Sequence, residues 1–301
     1  PPPPPLFFLM IRRPPRSTLV LSSAAADVYK RQHLSLAPAV LCAQPFVSQT
    51  TLRHYWAANR PGYYSYEKIG HTAILTTALL LMRRDNDDKQ WEALRRRMTD
   101  VQLAQRGIRD PRVLHAMQSV PRHTFLPPQL QSQAYDDTPL PIGKGQTISQ
   151  PYIVARVTEL LRITHPESAT VLEVGAGCGY QAAVLAQLAT HVFAVECVPS
   201  LAQTATRYLC DLGIENVKVI TADGGAGLQE FAPFDAILMS AAAPRVPSTL
   251  FAQLADGGRL VAPVGSRNKQ QLQRWVKNGH LLRREKFTQV RFVPLTGKWG
   301  F

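Results

Sequence analysis

Three glycines follow a short apolar run in the segment EVGAGCGYQ, a spacing typical of a turn that holds a nucleoside cofactor. The run TVLEVG predicts a strand, and Gly175, Gly177 and Gly179 allow the chain to turn tightly and approach a ligand before a helix begins. Glu173 makes the pattern E-x-G-x-G-x-G. Glu196 ends the next predicted strand, where a carboxylate can accept both ribose hydroxyls. Taken singly, the glycines mark only a tight turn and Glu196 only an exposed strand end.

The third predicted strand also ends at an acidic residue, in the segment ADGGAG. Asp223 could accept a hydrogen bond from an adenine amino group, and Gly224 would leave room for the ring. In isolation an Asp-Gly pair is more typical of a turn. The glycine turn contains no basic residue, which favours a ligand that carries an amino acid and adenosine over one that carries a pyrophosphate.

Small hydroxyl and amide side chains stand directly before a predicted helix in GKGQTISQPYIVARVTELL. The helix begins at Pro151, a favourable residue for the first helical position. Thr147, Ile148 and Ser149 lie just before it. The Ser149 hydroxyl could orient an anionic acceptor, whose charge the amides at the helix start would share. It could equally cap the helix, and both interpretations remain open.

The alternation of strands and helices predicts the sheet that positions these residues. The first strands are predicted, in chain order, at Thr170–Gly175, His191–Glu196, Val217–Thr221, Phe234–Ala241 and Arg259–Gly265. Two polar-alternating runs, QQLQRWVKNG and KFTQVRFVPL, predict a strand pair at the sheet edge. The order predicts an α/β fold with a mostly parallel seven-stranded sheet and helices on both faces. Ligands bind such sheets at the carboxyl ends of the strands.

The first 90 residues lack the patterns of the remainder. Residues 1–32 open with five prolines and resemble translated adapter or vector read-through, and residues 33–90 carry no motif that can be assigned. We therefore expect residues 1–90 to be a non-native or disordered extension and residues 91–301 to form the functional domain. Two short helices predicted after Trp91, the first ending near Gly107 and the second capped by Asp110, form a lid-like start to this domain.

Composition excludes several classes of function. The net charge is +13, but the basic residues are scattered and form no clustered stripe, so no nucleic-acid partner is expected. No apolar run is long enough to cross a membrane. The four cysteines and eight histidines show no metal-ligand spacing, so we expect no metal. Unpaired cysteines in predicted core elements favour a reduced, cytoplasmic protein, and we expect a monomer.

The stretch from about residue 101 to residue 295 resembles the protein-L-isoaspartate (D-aspartate) O-methyltransferase family in its bacterial form. The matching motifs, in the family's order, are VPRHTFLP, AYDDTPLPIGKGQTISQPYIVARVTELL, VLEVGAGCGYQAAVLA, PFDAILMSAAAPRVP, QLADGGRLVAPVG and VRFVPL. The resemblance implies a Rossmann-like class I methyltransferase fold, S-adenosyl-L-methionine as methyl donor, and damaged proteins with L-isoaspartyl or D-aspartyl residues as acceptors.

The resemblance also assigns residues. It implies that Ser149 is the active-site serine and also part of the cofactor site, and that Thr147 and Ile148 lie against the methionyl end of the cofactor. The remaining implied cofactor residues are Glu173, Gly175, Gly177, Gly179, Glu196, Asp223 and Gly224. Cys178 departs from the family, many members of which have serine there; the site stays small. A carboxylate is already an anionic nucleophile, so methyl transfer to it needs positioning and exclusion of water more than acid–base help.

Three rival interpretations remain. The first is another class I S-adenosylmethionine-dependent methyltransferase acting on a small molecule or RNA. The segment Ser240–Pro244 counts against a nitrogen acceptor, because enzymes for adenine N6 and glutamine N5 have Asn/Asp-Pro-Pro-Tyr/Phe at this place. The second is a nucleotide-binding module or dehydrogenase, and the third an inactive fusion product.

Overall fold

The structure, a computed structural model, describes residues 87–301. All of them belong to the second of two units of the chain, Thr76–Phe301. Residues 1–86, with Cys42 and nearly all of the predicted N-terminal extension, lie outside the described residues. Within the described part, no helix combines the length and apolarity that a membrane span needs. The same part contains no group of three or more His, Cys, Asp or Glu side chains arranged to hold a metal ion.

Two helices open the described domain as predicted. Residues 87–97 are α-helical (α1) and continue as the π-helical segment Met98–Ala104. Helix α2 spans Pro111–Ser119, and the Asp110 side chain accepts a hydrogen bond from the amide of Arg112 at 2.9 Å. The predicted cap and the proline after it therefore fix the start of α2.

A hairpin and four more helices accompany the main sheet. The remaining helices are α3 (Pro151–Leu161), α4 (Tyr180–Ala186), α5 (Pro199–Asp211) and α6 (Ser248–Ala252), with 3₁₀ turns at Arg122–Phe125, Pro128–Gln133, Gly224–Ala226 and Gln229–Phe231. The strands are β1 (Leu140–Gly143), β2 (Gln146–Ile148), β3 (Thr170–Val174), β4 (His191–Glu196), β5 (Val217–Thr221), β6 (Phe234–Met239), β7 (Leu254–Gly265), β8 (Gln270–Asn278) and β9 (Leu281–Val290).

The seven strands β3 to β9 form one sheet in the order β5-β4-β3-β6-β7-β8-β9. Strands β3 to β7 pair in parallel, while β8 and β9 add antiparallel at one edge. β3 lies between β4 and β6, so the strand order reverses at β3. A crevice opens at the carboxyl ends of the strands beside such a reversal. The predicted Rossmann-like, mostly parallel seven-stranded sheet is confirmed.

Each face of the sheet carries its own apolar core. Along β6, Ala236 and Leu238 join one core, whereas Ile237 and Met239 join the other, as the two-residue period of a strand requires. The first core includes side chains from α3 and α4, and the second includes Leu250 of α6. Helices therefore cover both faces, which explains why the parallel strands are almost continuously apolar.

Some predicted boundaries were wrong. β3 ends at Val174 and β6 at Met239, because the chain then turns into the site. β7 begins at Leu254, ahead of the predicted start at Arg259, because an irregularity in its pairing with β6 absorbs the Asp-Gly-Gly segment. The segment Gln146–Ile148, interpreted as part of a loop, is the second strand of the β1–β2 hairpin.

Candidate active site

The glycine turn after β3 is fastened to the end of β4. The amides of Gly175 and Ala176 both donate to the carbonyl oxygen of Val195, at 2.8 and 3.0 Å. Gly175 (φ 95°) and Gly177 (φ 56°) adopt the left-handed region that disfavours residues with a Cβ. The two glycines therefore bring the backbone of the turn against the tip of the neighbouring strand.

Glu196, the last residue of β4, also contacts the glycine turn. Its side chain is 5% exposed; Oε2 accepts a hydrogen bond from the amide of Gly177 at 2.8 Å, and Oε1 accepts one from the amide of Val198 at 2.9 Å. Two backbone dipoles thus compensate the carboxylate. Oε1 also accepts a hydrogen bond from the Cys197 thiol at 3.6 Å, whereas Oε2 keeps a free lone pair, so Glu196 can still accept a ligand hydroxyl.

Glu173, two residues before the first glycine, has a different environment. Its side chain is 0% exposed, and Oε1 accepts a hydrogen bond from Ser240 Oγ at 2.8 Å. Oε2 has no hydrogen-bond partner among the described residues. Burial raises the pKa of Glu173 to about 8, and the nearby negative charge of Glu196 adds to the effect.

The β1–β2 hairpin lies over the glycine turn. Ile148 is buried and pairs with Leu140 across the hairpin. The Cδ1 atom of Ile142 lies 3.3 Å from the position that a Cβ on Gly177 would occupy. A side chain at Gly177 would therefore press against the hairpin that carries Thr147.

Most of the predicted cofactor residues surround one cavity at the carboxyl ends of β3, β4 and β6. Eight of the ten line it: Thr147, Ile148, Ser149, Glu173, Gly175, Gly177, Glu196 and Gly224. A second cavity is lined by residues of the hairpin–α3 junction and by Gln289–Val293. Thr147, Ser149, Ser240 and Val293 line both cavities, so the two spaces meet beside three hydroxyl side chains and one valine.

Gly179 and Asp223 do not line the cavity, and each has a structural role. A Cβ on Gly179 would lie 3.1 Å from the Cβ of Ala205, so this glycine permits α4 and α5 to pack closely. Asp223 accepts hydrogen bonds from the amides of Gly225 (Oδ1, 3.0 Å) and Lys298 (Oδ2, 3.1 Å). The expected contact between Asp223 and adenine stays a prediction.

The interpretation of Ser149 as a helix cap was wrong. The N-cap residue of α3 is Gln150, and its side chain makes no capping hydrogen bond to the helix. The amide of Tyr152 instead donates to Asp137 Oδ1 at 3.3 Å, while Gln150 Nε2 donates to Asp137 Oδ2 at 2.7 Å. Arg106 forms an ion pair with the same carboxylate. Among the described residues, the Ser149 hydroxyl makes no hydrogen bond.

This capping also alters the predicted role of the α3 N-terminus. Pro151 has no N–H, and the amide of Tyr152 already donates its hydrogen bond to Asp137. The expectation that these amides share the charge of an acceptor carboxylate is therefore not supported. The hydroxyls of Ser149 and Thr147 remain as donors at the junction of the two cavities.

Sequence reasoning placed the segment Ser240–Pro244 at the site but gave Ser240 no role of its own, and it missed Cys197. Ser240 and Cys197 are the first residues after β6 and β4, and that position was a signal that could have found them. The segment Val293–Thr296 forms another part of the wall. Ala242 holds this segment, because its amide donates to the Val293 carbonyl at 2.8 Å and its carbonyl accepts from the Leu295 amide at 2.7 Å. The run KFTQVRFVPL, which contains the motif VRFVPL, had been predicted as an edge strand. This prediction was wrong in its second half, because β9 spans Leu281–Val290 and the chain then leaves the sheet to form the cavity wall.

Comparison with known proteins gives a consistent result. The family model of protein-L-isoaspartate(D-aspartate) O-methyltransferase matches residues 95–300. The chain is 55% identical over 208 residues to the protein-L-isoaspartate O-methyltransferase of Methanoregula boonei, covering 69% of this chain and 94% of that protein. It is 51% identical over 213 residues to the enzyme of the same name from Geobacter metallireducens, covering 70% and 97%.

Comparison with solved structures leads to the same family. A protein-L-isoaspartate O-methyltransferase superposes with a TM-score of 0.62 at 31% identity, covering 68% of this chain and 67% of that one. A chain from Plasmodium falciparum named as the same enzyme, in complex with S-adenosyl-L-homocysteine, superposes with a TM-score of 0.60 at 26% identity, covering 67% and 98%. The chain belongs to the protein-L-isoaspartate(D-aspartate) O-methyltransferase family.

Proposed function

We propose that this chain is a protein-L-isoaspartate O-methyltransferase. It transfers a methyl group from S-adenosyl-L-methionine to the free carboxylate of L-isoaspartyl residues in damaged proteins, and so initiates their repair. The observation that carries the proposal is the meeting of two cavities at Thr147, Ser149 and Ser240. Membership of the family supports the identity of donor and acceptor.

The residues of the first cavity fit the proposed cofactor. Glu196 Oε2 retains a lone pair for a ribose hydroxyl, and the open backbone of the glycine turn permits close approach. Glu173 offers a buried oxygen without a partner, which suits a donor group such as an ammonium. S-adenosyl-L-methionine, when bound, supplies an electrophilic methyl group on a sulfonium.

The second cavity is the proposed acceptor site. An acceptor carboxylate needs donors that hold it without neutralising its nucleophilicity, and it needs exclusion of water. The hydroxyls of Ser149 and Thr147 meet the first need at the shared edge of the cavities. Ile153 and Phe292 provide apolar surface nearby for the second. Ser149 orients the acceptor carboxylate, and no general base is required.

The lining of the acceptor site favours a polypeptide over RNA. Ser240 and the alanines after it leave no aromatic clamp for a base, and β9 leads into the site at Gln289 and Val290. The side-chain carboxylate of a D-aspartyl residue is a second acceptor of the same chemistry, and we include it in the proposal.

We also propose that the enzyme is a cytoplasmic monomer that binds neither nucleic acid nor membranes. The scattered basic residues and the absence of any metal-ligand or disulfide spacing in the sequence support this.

The function is tested by incubating the purified chain with radiolabelled S-adenosyl-L-methionine and three acceptors. These are a protein aged to accumulate isoaspartyl sites, the same protein fresh, and RNA. Label should enter the aged protein and should be released by mild base, as expected of a methyl ester. Label in RNA, or base-stable label in protein, would favour the rival methyltransferase activities.

A further inference from the structure

Glu173 and Glu196 line the same cavity, but only Glu196 is compensated as an anion. Both Glu196 oxygens accept backbone amides, whereas Glu173 Oε1 accepts one hydroxyl and Oε2 accepts nothing among the described residues. Glu173 is also the more deeply buried of the two. This difference needs a physical explanation, because an uncompensated buried charge is costly.

The surroundings of Glu173 disfavour its ionised form. Glu196 faces it from the end of β4 with a negative charge, which opposes a second one. Cys178 faces it from the glycine turn, and burial raises the pKa of that thiol to about 11, so it is neutral. Ser240 contributes a single hydroxyl from the end of β6. Burial and Glu196 raise the pKa of Glu173 to about 8, so the group is protonated at neutral pH.

The position of Glu173 indicates which part of a ligand it meets. Its partner Ser240 lines both the cofactor cavity and the acceptor cavity. Glu173 therefore lies on the side of the cofactor cavity where the methyl group must be transferred. In the cofactor of the proposed function, the amino-acid portion is attached at this sulfur. An adjacent anion would stabilise its ammonium as well as the sulfonium, and in S-adenosyl-L-homocysteine the ammonium is the cation that remains.

We propose that Glu173 is protonated in the free enzyme and releases its proton when the ligand ammonium binds, so that a buried ion pair forms only in the complex. The O–H bond of Glu173 breaks, its proton passes to the solvent buffer, and the carboxylate pairs with the ammonium. The inference rests on the proposed function, because the ammonium is that of S-adenosylmethionine. Binding of the amino-acid portion of the cofactor therefore requires Glu173 to release its proton.

Isothermal titration calorimetry with S-adenosyl-L-homocysteine at pH 6.5 tests this proposal. The titration is run in phosphate, which has a small enthalpy of protonation, and in imidazole, which has a large one. The heats should differ by the protonation enthalpy of about one proton per site. 5′-Methylthioadenosine, which lacks the ammonium, should give equal heats in both buffers. Glu173→Gln should abolish the difference in heat between the two buffers for S-adenosyl-L-homocysteine. Glu196→Gln should weaken binding but retain the difference in heat.

The outcomes separate this inference from the proposed function. No binding of S-adenosyl-L-homocysteine in either buffer would contradict the function itself. Binding with equal heats in both buffers would overturn the inference and leave the function standing. If Glu173→Gln does not fold, the pH dependence of wild-type affinity for S-adenosyl-L-homocysteine tests the inference instead. This affinity should rise by up to about tenfold from pH 6 to pH 7, because binding releases a proton. An affinity that does not change with pH would overturn the inference.

Discussion

The carboxylate of Glu196 accepts a hydrogen bond from the amide of Gly177 at 2.8 Å, which joins the tip of β4 to the middle of the glycine turn. One residue thus shapes the turn and presents a lone pair to the ligand. Since the amide of Val198 binds the other oxygen, the carboxylate has little freedom to rotate away.

Replacement of Glu196 by glutamine should weaken cofactor binding without unfolding the chain. The amide group cannot accept on both sides, so either a backbone amide or a ribose hydroxyl loses its acceptor. We expect the affinity for S-adenosyl-L-homocysteine to fall by roughly 10- to 100-fold, equivalent to about 1.4–2.8 kcal/mol. Calorimetry measures the change, and Glu215→Gln, at an exposed glutamate, is the matched control. An unchanged affinity would contradict the assignment of Glu196 as a cofactor-binding residue.

Replacement of Ser149 by alanine should impair methyl transfer and spare cofactor binding. Loss of one hydroxyl donor to an anionic acceptor costs about 1.5–3 kcal/mol, so kcat/KM for an isoaspartyl peptide should fall by roughly 10- to 100-fold. Steady-state kinetics and calorimetry with S-adenosyl-L-homocysteine separate the two effects. Ser168→Ala, at an exposed turn serine, should behave as the wild type. Full activity of Ser149→Ala would show that the serine only shapes the junction.

Replacement of Asp137 by asparagine should loosen the segment that carries Ser149. Asp137 binds the amide of Tyr152 and the side chain of Gln150, and it pairs with Arg106. Loss of the charge at a helix N-terminus and of an ion pair should lower the free energy of unfolding by about 1–2 kcal/mol. Urea denaturation measures this. The neighbouring exposed residue provides the control Asp136→Asn, and equal stabilities of the two variants would refute the capping role.

His123 should make the fold sensitive to acid. It stacks on Trp91 with ring centroids 4.4 Å apart and lies 2.8 Å from the Tyr135 hydroxyl. Burial, followed by the positive charge of Arg95, lowers the pKa of His123 to about 4 from an ordinary 6.5. The unfolded chain then binds a proton first as the pH falls, so stability is present above pH 6.5 and declines between pH 6.5 and 4.

The size of this effect is measurable by difference. Because His123 is only half-buried, we expect it to account for about 1–2 kcal/mol of the loss. Urea denaturation at pH 7 and pH 4.5, followed by tryptophan fluorescence, should show a smaller loss for His123→Gln than for the wild type. His191→Gln, at an exposed histidine, should match the wild type. Equal acid sensitivity of His123→Gln and the wild type would contradict the assignment.

The sheet was predictable because its signals are local. β4 and β5 have the predicted bounds, since both are short, mostly apolar runs between turns, although β5 lies at the sheet edge and is only partly buried. The glycine turn and Glu196 were predictable for a related reason: a parallel sheet brings the ends of neighbouring strands together, so sequence spacing alone places Glu196 beside Gly177.

The rest depends on contacts between distant parts of the chain. Asp137 caps α3 from beyond the β1–β2 hairpin, and Lys298 reaches Asp223 from the C-terminal segment. No periodicity encodes either contact. The unpaired oxygen of Glu173 is likewise visible only once burial and the position of Ser240 are known.

Methyl transfer to matched peptides tests the central claim most directly. Three synthetic peptides of one sequence would carry an L-isoaspartyl, a D-aspartyl or a normal L-aspartyl residue at the same position. The account predicts rapid methyl-ester formation on the isoaspartyl peptide, none on the normal peptide, and strong impairment in Ser149→Ala. Equal labelling of the isoaspartyl and normal peptides, or labelling of neither, would contradict it.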